Sequence, residues 1–328
     1  MGDLVEHGKL YIGGEWVDPA GPDTIEVVSP HTERVIGRVP HAARADVDRA
    51  VAAARASFTS GVWADAPLDE RIAVITRIKD AFAVRSEEFA RVIGAQNGTP
   101  VTSGVMVQSL AAMMVWDATL TVAREFAFEE RRAGALGPLL VRREPVGVVA
   151  AVVPWNVPQF TAAAKLAPAL LAGCSVVLKV SPETPLDAYL LAEIASEAGV
   201  PPGVLSILPA DREVSEYLVG HPGVDKVSFT GSVAAGRRVM EVAAKQKSPY
   251  ARHAFGAHFA EVQADTVTGE VRVRRLLGVF AAGRILNPLT ARSQFVGGMV
   301  MGLGMALTEH STMDPAFGDF TENDLASY

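Results

Sequence analysis

Between Pro145 and Ser232 the chain alternates short apolar runs with segments of helical length. This alternation is typical of βαβ units, in which helices connect the parallel strands of one sheet. The apolar runs are rich in β-branched residues and lack polar alternation, as expected for strands that helices cover on both faces. We predict strands over Val148 to Val153, Ser175 to Lys179, Leu205 to Leu208 and Lys226 to Phe229. The central fold class is therefore predicted to be α/β with a parallel, Rossmann-like sheet.

The residues before this core predict strands followed by helices. Strands are expected over Lys9 to Val17, with a turn at Gly13-Gly14, and over Glu26 to Val39, with a turn near Ser29-Pro30. Apolar residues at helical spacing then predict three helices: one from Asp46, one from Pro67 to Gly94 or Gly98, and one over about Val101 to Phe126. Leu139, Leu140 and Val141 are interpreted as one arm of an exposed hairpin that makes a subunit contact, which favours a homo-oligomer.

Composition excludes several classes of protein. The net charge is −7, and no basic surface for neutralising phosphates is evident, so nucleic acid and acidic membranes are not expected partners. No run of 18 apolar residues and no signal peptide is visible. The single cysteine, Cys174, excludes an intrachain disulfide and favours a cytoplasmic location. No metal site is predicted, because the helices before the core carry no clustered His, Cys or carboxylate pattern.

A series of motifs resembles the cofactor-binding half of the NAD(P)-dependent aldehyde dehydrogenase family. The motifs, in chain order, are YIGGEWV at 11–17, REPVGVV at 143–149, PWN at 154–156, KLAPALLAGCSVVLK at 165–179, SPETP at 181–185, GVPPGVLSILP at 199–209 and VDKVSFTGSVAAGRR at 224–238. The resemblance covers about residues 8–246. It implies oxidation of a small-molecule aldehyde to a carboxylic acid with NAD or NADP, and we interpret residues 1–246 as the cofactor-binding domain.

The resemblance assigns the first cofactor residues to the loops that follow two predicted strands. Val153, Pro154 and Trp155 lie at the carboxyl edge of the sheet, where open α/β folds bind ligands. Asn156 is the family's oxyanion donor; the alternative, that it caps the following helix, remains open. Lys179 and Ser181 are expected at the adenosine ribose, although a snorkelling surface lysine would fit the same pattern.

A second cofactor segment follows the last predicted strand. Gly231 and Ser232 open a helix whose free N–H groups suit an anion, and with Gly236 they resemble the family's phosphate-facing turn. A simple glycine-containing helix cap is the alternative. The choice between NAD and NADP stays open, because Pro182 stands where NAD-preferring relatives often carry glutamate.

The catalytic groups of the family are not found in this sequence. Aldehyde oxidation requires a cysteine nucleophile and a base that activates water. The family carries them in segments beyond the motifs above, and the resemblance ends near Lys245. Cys174 lies in an apolar junction and is interpreted as core packing. We therefore expect catalysis to be incomplete.

From about Pro249 the sequence resembles part of the molybdopterin-binding subunit of the xanthine dehydrogenase and aldehyde oxidoreductase family. The residues that carry this resemblance are FGAHFAEV, TGEVRVRRLLGVF, GRILNPLTARSQFVGGMVMGLGMALTE and DLASY. A hairpin with its turn at Thr268-Gly269 and a helix from Thr290 through Met305 are predicted, which makes 249–328 a short α+β fragment. Gln294 matches a molybdopterin contact, but the family's other cofactor loops are missing, so molybdopterin itself is not expected.

Three hypotheses follow from this combination of two incomplete enzymes. The first is an aldehyde dehydrogenase-like protein that binds NAD(P) with impaired catalysis. The second is a non-catalytic NAD(P)-binding or subunit-interaction protein, and the third is a non-functional fusion that packs poorly. Glu261 and Glu309 are the carboxylates to inspect if the carboxyl-terminal segment approaches Asn156.

Overall fold

Strands lead into a helical stretch and then into alternating strands and helices. A computed structural model describes residues 4–134, 137–244, 255–264, 271–281, 292–293, 295–300, 313–314 and 319–320. It divides into two compact units, Met1–Lys247 and Ser248–Tyr328. The strands are β1 (Val5–Glu6), β2 (Leu10–Ile12), β3 (Glu15–Val17), β4 (Thr24–Val28), β5 (Val35–Pro40), β6 (Glu129–Gly134), β7 (Gly137–Arg142), β8 (Val148–Val152), β9 (Ser175–Val180), β10 (Leu205–Pro209), β11 (Lys226–Phe229), β12 (Phe255–Ala264), β13 (Val271–Ala281), β14 (Met313–Asp314) and β15 (Asp319–Phe320). The helices are α1 (Arg44–Ser60), α2 (Leu68–Val84), α3 (Ser86–Asn97), α4 (Val101–Gly104), a π-helical turn (Val105–Leu110), α5 (Ala111–Glu125), α6 (Pro158–Leu171), α7 (Leu186–Glu197), α8 (Arg212–Val219) and α9 (Val233–Ala244).

The predicted parallel strands form the centre of a six-stranded sheet with the order β11-β8-β9-β10-β2-β3. The first four strands are parallel, and β2 and β3 complete the edge in antiparallel orientation. Gly13 and Gly14 make the tight turn between β2 and β3 with φ of 62° and 90°, a region that glycine enters without a Cβ clash. The α/β fold class inferred from the sequence is confirmed.

Alternate residues of the central strands enter two different hydrophobic cores. Val149 and Leu178 pack with α2, α5, α6 and α7 on one side of the sheet. Val148 and Val177 pack with α1 and α8 on the other side. Because both faces are buried, the strands have no polar alternation. A smaller cluster joins β4 and β5 to α7 through Val27, Val39, Leu186 and Tyr189.

The predicted second helix is divided in the structure. Arg85, with φ −97° and ψ 15°, separates α2 from α3. Its side chain donates to Glu88 on α3 and to Glu193 on α7, and the Phe82 and Phe89 rings stack with centroids 4.1 Å apart. No glycine or proline occurs at this break, so the apolar spacing alone could not reveal it.

The predicted third helix is continuous but contains the π-helical turn before α5. Residues Val105–Glu125 are long and apolar enough, by length and composition, to cross a membrane, with a mean hydropathy of 1.4. A search for consecutive apolar residues does not find this stretch, since polar residues such as Asp117 interrupt it. Ala112, Trp116 and Leu120 pack into the larger core, so packing accounts for part of the apolar composition.

The hairpin β6–β7 pairs in antiparallel register from Glu129↔Arg142 to Gly134↔Gly137. Leu139 and Leu140 are 56% and 61% exposed. The structure therefore contains the predicted exposed hairpin arm.

In the second unit β12 and β13 form an antiparallel pair, with a bulge between Glu261 and Val262. The predicted hairpin is present, while its turn at Thr268-Gly269 lies outside the described residues. Residues 295–300 are helical, within the predicted helix; Thr290 and Met305 also lie outside the described part. The strands β14 and β15 form a separate short antiparallel pair.

Candidate functional site

A cleft of about 650 Å³ opens at the carboxyl ends of β8, β9 and β11. Parallel strands present their carboxyl ends at one edge of the sheet, which is where open α/β folds bind ligands. The cleft brings together residues that are far apart in sequence. Among the predicted site residues, those that line it are Val153, Pro154, Trp155, Asn156, Lys179, Ser181, Gly231 and Ser232. Gly236 lies on α9, one turn into the helix, and is not among the lining residues.

Lys179 is the buried cation of the cleft. Lys179 lies near the carboxyl end of the fully buried strand β9, only 7% of the residue is exposed, and no hydrogen-bond partner for its ammonium is found within the described ranges. Desolvation lowers the Lys179 pKa to about 8, against the opposing effects of Glu183 and Asp211. A surface lysine would not be desolvated in this way, so the snorkelling alternative does not fit the structure.

The loop after β9 places a carboxylate close to this lysine. Ser181 Oγ donates to Glu183, and both residues line the cleft together with Pro182. Glu183 therefore supplies the negative charge of this loop, one position after the proline that replaces the family's frequent glutamate.

Asn156 lies in the loop between β8 and α6 with its side chain exposed to the cleft. The helix begins at Pro158, its N-cap residue is Val157, and no side chain caps it. The helix-capping alternative for Asn156 therefore has no hydrogen bond to support it. The backbone carbonyl of Asn156 accepts bonds from Asn97 Nδ2 at 3.0 Å and from Gln108 Nε2 at 2.9 Å. The loop is held through its backbone, which leaves the Asn156 side-chain amide available to a ligand.

The Gly231-Ser232 turn opens α9 beside the cleft. Ser232 Oγ accepts a hydrogen bond from the Ala235 N–H at 3.3 Å, so part of this turn is an ordinary helix cap. A Cβ built on Gly231 would lie 2.6 Å from the Phe229 ring, and a side chain would not fit there without displacing that ring. Gly231 and Ser232, which directly precede α9, line the cleft. The N–H groups in the first turn of a helix lack intrahelical acceptors, so an anion is favourable at this end of α9.

The sequence analysis did not identify the charged wall made by α8 and α9. Arg238 on α9 donates to Glu216 on α8 through two nitrogens, and Arg212 also lines the cleft. Apolar residues of the same helices, Val219 and Val239, add a surface suited to a flat ring. The helical spacing of these residues could have shown that they share a face, but not that the two helices meet.

Cys174 is 3% exposed and packs in the larger core. Burial raises the pKa of its thiol, which disfavours the nucleophilic thiolate. The structure therefore agrees with its interpretation as core packing.

The carboxyl-terminal candidates belong to the second unit. Glu261 is exposed on β12, whereas Gln294 and Glu309 lie outside the described residues. Within the described ranges, no group of three His, Cys, Asp or Glu side chains could hold a metal ion.

Two family models match the chain. The aldehyde dehydrogenase family matches residues 16–258, and a molybdopterin cofactor-binding domain matches residues 195–328. Both matches include residues 195–258, so the second begins well before Pro249, where the sequence analysis placed its start.

Curated relatives extend the first of these matches. Geranial dehydrogenase of Castellaniella defragrans is 40% identical over 262 residues, which are 80% of this chain and 55% of that protein. The 3-succinoylsemialdehyde-pyridine dehydrogenase of a Pseudomonas species is 39% identical over 241 residues, which are 73% of this chain and 49% of that protein. The chain thus spans about half the length of the curated relatives it matches.

Solved structures agree with this assignment. A Mycobacterium tuberculosis aldehyde dehydrogenase complexed with NAD⁺ is 45% identical with a TM-score of 0.73, over 74% of this chain and 50% of that one. A mutant aldehyde dehydrogenase C from Pseudomonas syringae, complexed with NAD⁺ and octanal, is 38% identical with a TM-score of 0.69, over 73% of this chain and 48% of that one. By sequence and by fold, the chain belongs to the aldehyde dehydrogenase family.

Proposed function

We propose that this protein is an aldehyde dehydrogenase-like oxidoreductase that binds NAD or NADP in the cleft at the carboxyl ends of β8, β9 and β11. The observation that carries the proposal is Lys179, a desolvated ammonium without a hydrogen-bond partner among the described residues. A buried charge is costly unless a polar partner meets it, and the hydroxyls or phosphates of a dinucleotide would do so. Residues 1–246 form the cofactor-binding domain in this proposal, and residues 249–328 a separate segment.

The cleft residues divide the binding task between them. Lys179 and Ser181 hold the ribose end, and the first N–H groups of α9 beside Gly231 and Ser232 hold phosphate oxygens. Asn156 directs its amide toward the carbonyl oxygen of an aldehyde, where negative charge develops during attack. When bound, the nicotinamide would supply the hydride acceptor.

Calorimetric titration of the full chain with NAD and with NADP tests the proposal. We expect saturable binding that Lys179→Ala weakens by about 10- to 100-fold, which corresponds to one lost charge-assisted hydrogen bond. Lys226→Ala is the matched control, because Lys226 is exposed at the amino end of β11, away from the carboxyl edge. If neither cofactor binds to a folded sample, or if both variants bind like the wild type, the proposed site is wrong.

The same titration addresses cofactor choice. The adenosine ribose of NAD has a free 2′-hydroxyl that can donate a hydrogen bond to a carboxylate. The 2′-phosphate of NADP is repelled by a carboxylate. Glu183 stands one residue after Pro182, and its carboxylate is engaged by Ser181 Oγ. A Glu183→Gln variant that gains affinity for NADP alone would place this carboxylate at the adenosine ribose.

We further propose that these 328 residues do not complete aldehyde oxidation. The sole thiol, Cys174, is buried in the core, and burial raises its pKa. Purified protein mixed with NAD and a medium-chain aldehyde should form no reduced nicotinamide above the cofactor-only control. Aldehyde-dependent reduction that persists in Cys174→Ser would show that another group serves as nucleophile.

A second role is favoured by the exposed hairpin β6–β7. Leu139 and Leu140 lie more than half exposed on a two-stranded sheet, and such sheets are marginally stable without a covering partner. We propose that a second copy of the chain covers this hairpin, in a reducing, cytoplasmic setting. Light scattering should report an oligomer that a Leu139→Lys, Leu140→Lys variant dissociates, and a monomeric wild type would exclude this role.

A further inference from the structure

The Asn156 backbone is held by an unusual arrangement of amide side chains. Its carbonyl oxygen accepts from Gln108 Nε2 at 2.9 Å and from Asn97 Nδ2 at 3.0 Å. Two donors on one carbonyl oxygen use both of its lone pairs and restrict rotation of the peptide plane. Asn97 Nδ2 also approaches the neighbouring carbonyl of Trp155 at 3.4 Å.

Thr99 links the two amides to each other. Its hydroxyl accepts from Gln108 Nε2 at 2.8 Å and donates to Asn97 Oδ1 at 2.7 Å. The backbone N–H of Thr99 donates to the same Asn97 oxygen at 3.0 Å. Asn97, Thr99 and Gln108 thus form one connected network, called here the amide clamp, whose amide nitrogens donate to the loop that carries Asn156.

The amide clamp carries an energetic cost. Gln108 is 1% exposed, and its Oε1 is buried without a hydrogen-bond partner. An unsatisfied buried polar atom costs about 1–3 kcal/mol, and an apolar side chain here would avoid that cost. Gln108 also lies in the π-helical turn Val105–Leu110, and such turns occur frequently at functional sites. Both features are unfavourable for stability alone, which indicates that Gln108 is present for another reason.

We propose that Gln108 is a positioning residue, which with Asn97 and Thr99 sets the backbone of the Trp155-Asn156 loop and thereby directs the Asn156 amide into the cleft. Among the residues that the structure describes, none makes a hydrogen bond to the Asn156 side chain, so we take the direction of its amide to follow from its backbone. The functional consequence rests on the proposed function of the cleft. The mechanical part of the proposal, that the clamp holds the loop, does not depend on any cofactor.

Trp155 provides a spectroscopic signal for the loop. It is 50% exposed and adjacent to Asn156, and the chain has only three other tryptophans, Trp16, Trp63 and Trp116. Fluorine NMR of the full chain labelled with fluorotryptophan, with Trp155→Phe for assignment, reports each tryptophan separately. In Gln108→Leu we expect the Trp155 resonance to shift or broaden while the Trp63 resonance stays unchanged.

Ser109→Ala is the matched control for loss of a buried hydrogen bond in the same turn. Ser109 is fully buried and its Oγ donates to the Ser86 carbonyl at 2.5 Å, away from the Asn156 loop. A general loosening of the turn would move the Trp155 resonance in both variants, and that outcome would overturn the proposal. An unchanged Trp155 resonance in Gln108→Leu would overturn it too.

Gln108→Glu supplies a readout that a purely structural role would not produce. An ionised carboxylate would repel the Asn156 carbonyl, while its protonated form could donate to that oxygen again. Burial raises the pKa of a glutamate, so we expect the Trp155 displacement at about pH 8 to reverse on acidification to about pH 5, unlike in the wild type. A displacement independent of pH would contradict the proposal.

Calorimetric titration of the same variants with NAD tests whether the amide clamp affects ligand binding in the cleft. If wild-type protein binds NAD, Gln108→Leu should weaken binding by up to about tenfold, because the loop that Gln108 holds also carries Trp155, a predicted cofactor residue that lines the cleft. Ser109→Ala should leave NAD binding unchanged. If the wild type binds no cofactor, the proposed function fails and the fluorine spectra alone decide on the clamp. If NAD binds equally to both variants while the spectra change, the clamp holds the loop without serving cofactor binding, and that part of the proposal is wrong.

Discussion

The two units of this protein use strands in different ways. In Met1–Lys247 the strands β8, β9 and β10 are buried along their whole length, with helices packed on both faces. In Ser248–Tyr328 the pair β12–β13 exposes Val262 and Leu277 to 57% and 51%. None of the described side chains at 260–263, 272–277, 292–293 and 295–300 is fully buried.

The difference shows where this chain can perturb the chemistry of a side chain. Helices packed on both faces of the sheet remove water from Lys179 on β9 and from Asp187 in the first turn of α7, so both groups experience strong desolvation. The charged residues described on β12 and β13, such as Glu261 and Arg274, remain exposed to water. Desolvated ionisable groups are candidates for function, and those found in the described residues belong to the first unit.

The largest expected effect comes from matched leucine truncations. Leu178→Ala, at a fully buried position of β9, should lower the free energy of unfolding by about 2–5 kcal/mol. Leu277→Ala, at a half-exposed position of β13, should change it by less than about 0.5 kcal/mol. Urea denaturation of both variants measures the contrast, and similar losses would mean that the second unit is covered in solution.

A second comparison concerns polar groups. Asp187 is buried and accepts from Gln159 Nε2 at 2.6 Å and from Gln96 Nε2 at 3.1 Å. Asp187→Asn replaces one acceptor with a donor and should cost about 1–3 kcal/mol at neutral pH. The exposed counterpart in the second unit is Arg274, whose Nε donates to Gln263 at 2.7 Å; Arg274→Ala should stay within about 0.5 kcal/mol.

The Asp187 effect should also depend on pH. Burial, opposed by the two glutamine hydrogen bonds, raises the Asp187 pKa to about 6 from the ordinary value of 3.8. Between these values the folded state binds more protons than the unfolded state. The free energy of unfolding should therefore increase as the pH falls from about 6 toward the ordinary pKa of 3.8. Urea denaturation at about pH 7 and about pH 5 measures this effect. The free energy of unfolding of the wild type, relative to that of Asp187→Asn, should be larger at about pH 5. A constant difference would mean that Asp187 is not desolvated.

Cofactor affinity should depend on pH through Lys179. Because desolvation lowers its pKa to about 8, the ammonium loses its proton as the pH rises through that value. Affinity for NAD should therefore fall by up to about tenfold between about pH 7 and about pH 9. Lys179→Ala, titrated under the same conditions, should lose this dependence; a variant that retains it would assign the titration to another group.

The smallest expected effect is that of removing the second unit. All described residues of the three hydrophobic clusters lie in the first unit. A chain of residues 1–247 should therefore unfold cooperatively, with a thermal midpoint close to that of the corresponding transition in the full chain. A large drop in the thermal midpoint would show that the second unit stabilises the first. The first unit would then not be stable by itself, contrary to the comparison above.

The sequence predicted those features that depend on local pattern. Apolar runs located β8 to β11 within one residue at each end, since buried parallel strands need continuous apolar sequence. Motif resemblance located Lys179 and Asn156, which the structure brings to the edge of one cleft. The sequence pattern did not locate the break at Arg85. There the Arg85 side chain donates hydrogen bonds to Glu88 on α3 and to Glu193 on α7.

The sequence by itself determined the α/β core, the aldehyde dehydrogenase family and the loops that line the cleft, because each is encoded by neighbouring residues. Tertiary structure alone decided that Arg238 pairs with Glu216 and that Gln108 reaches Asn156 across 48 positions. It also decided that Lys179 is desolvated. Hydrogen bonds between distant segments and the removal of water depend on how whole elements pack, and no local pattern specifies that packing.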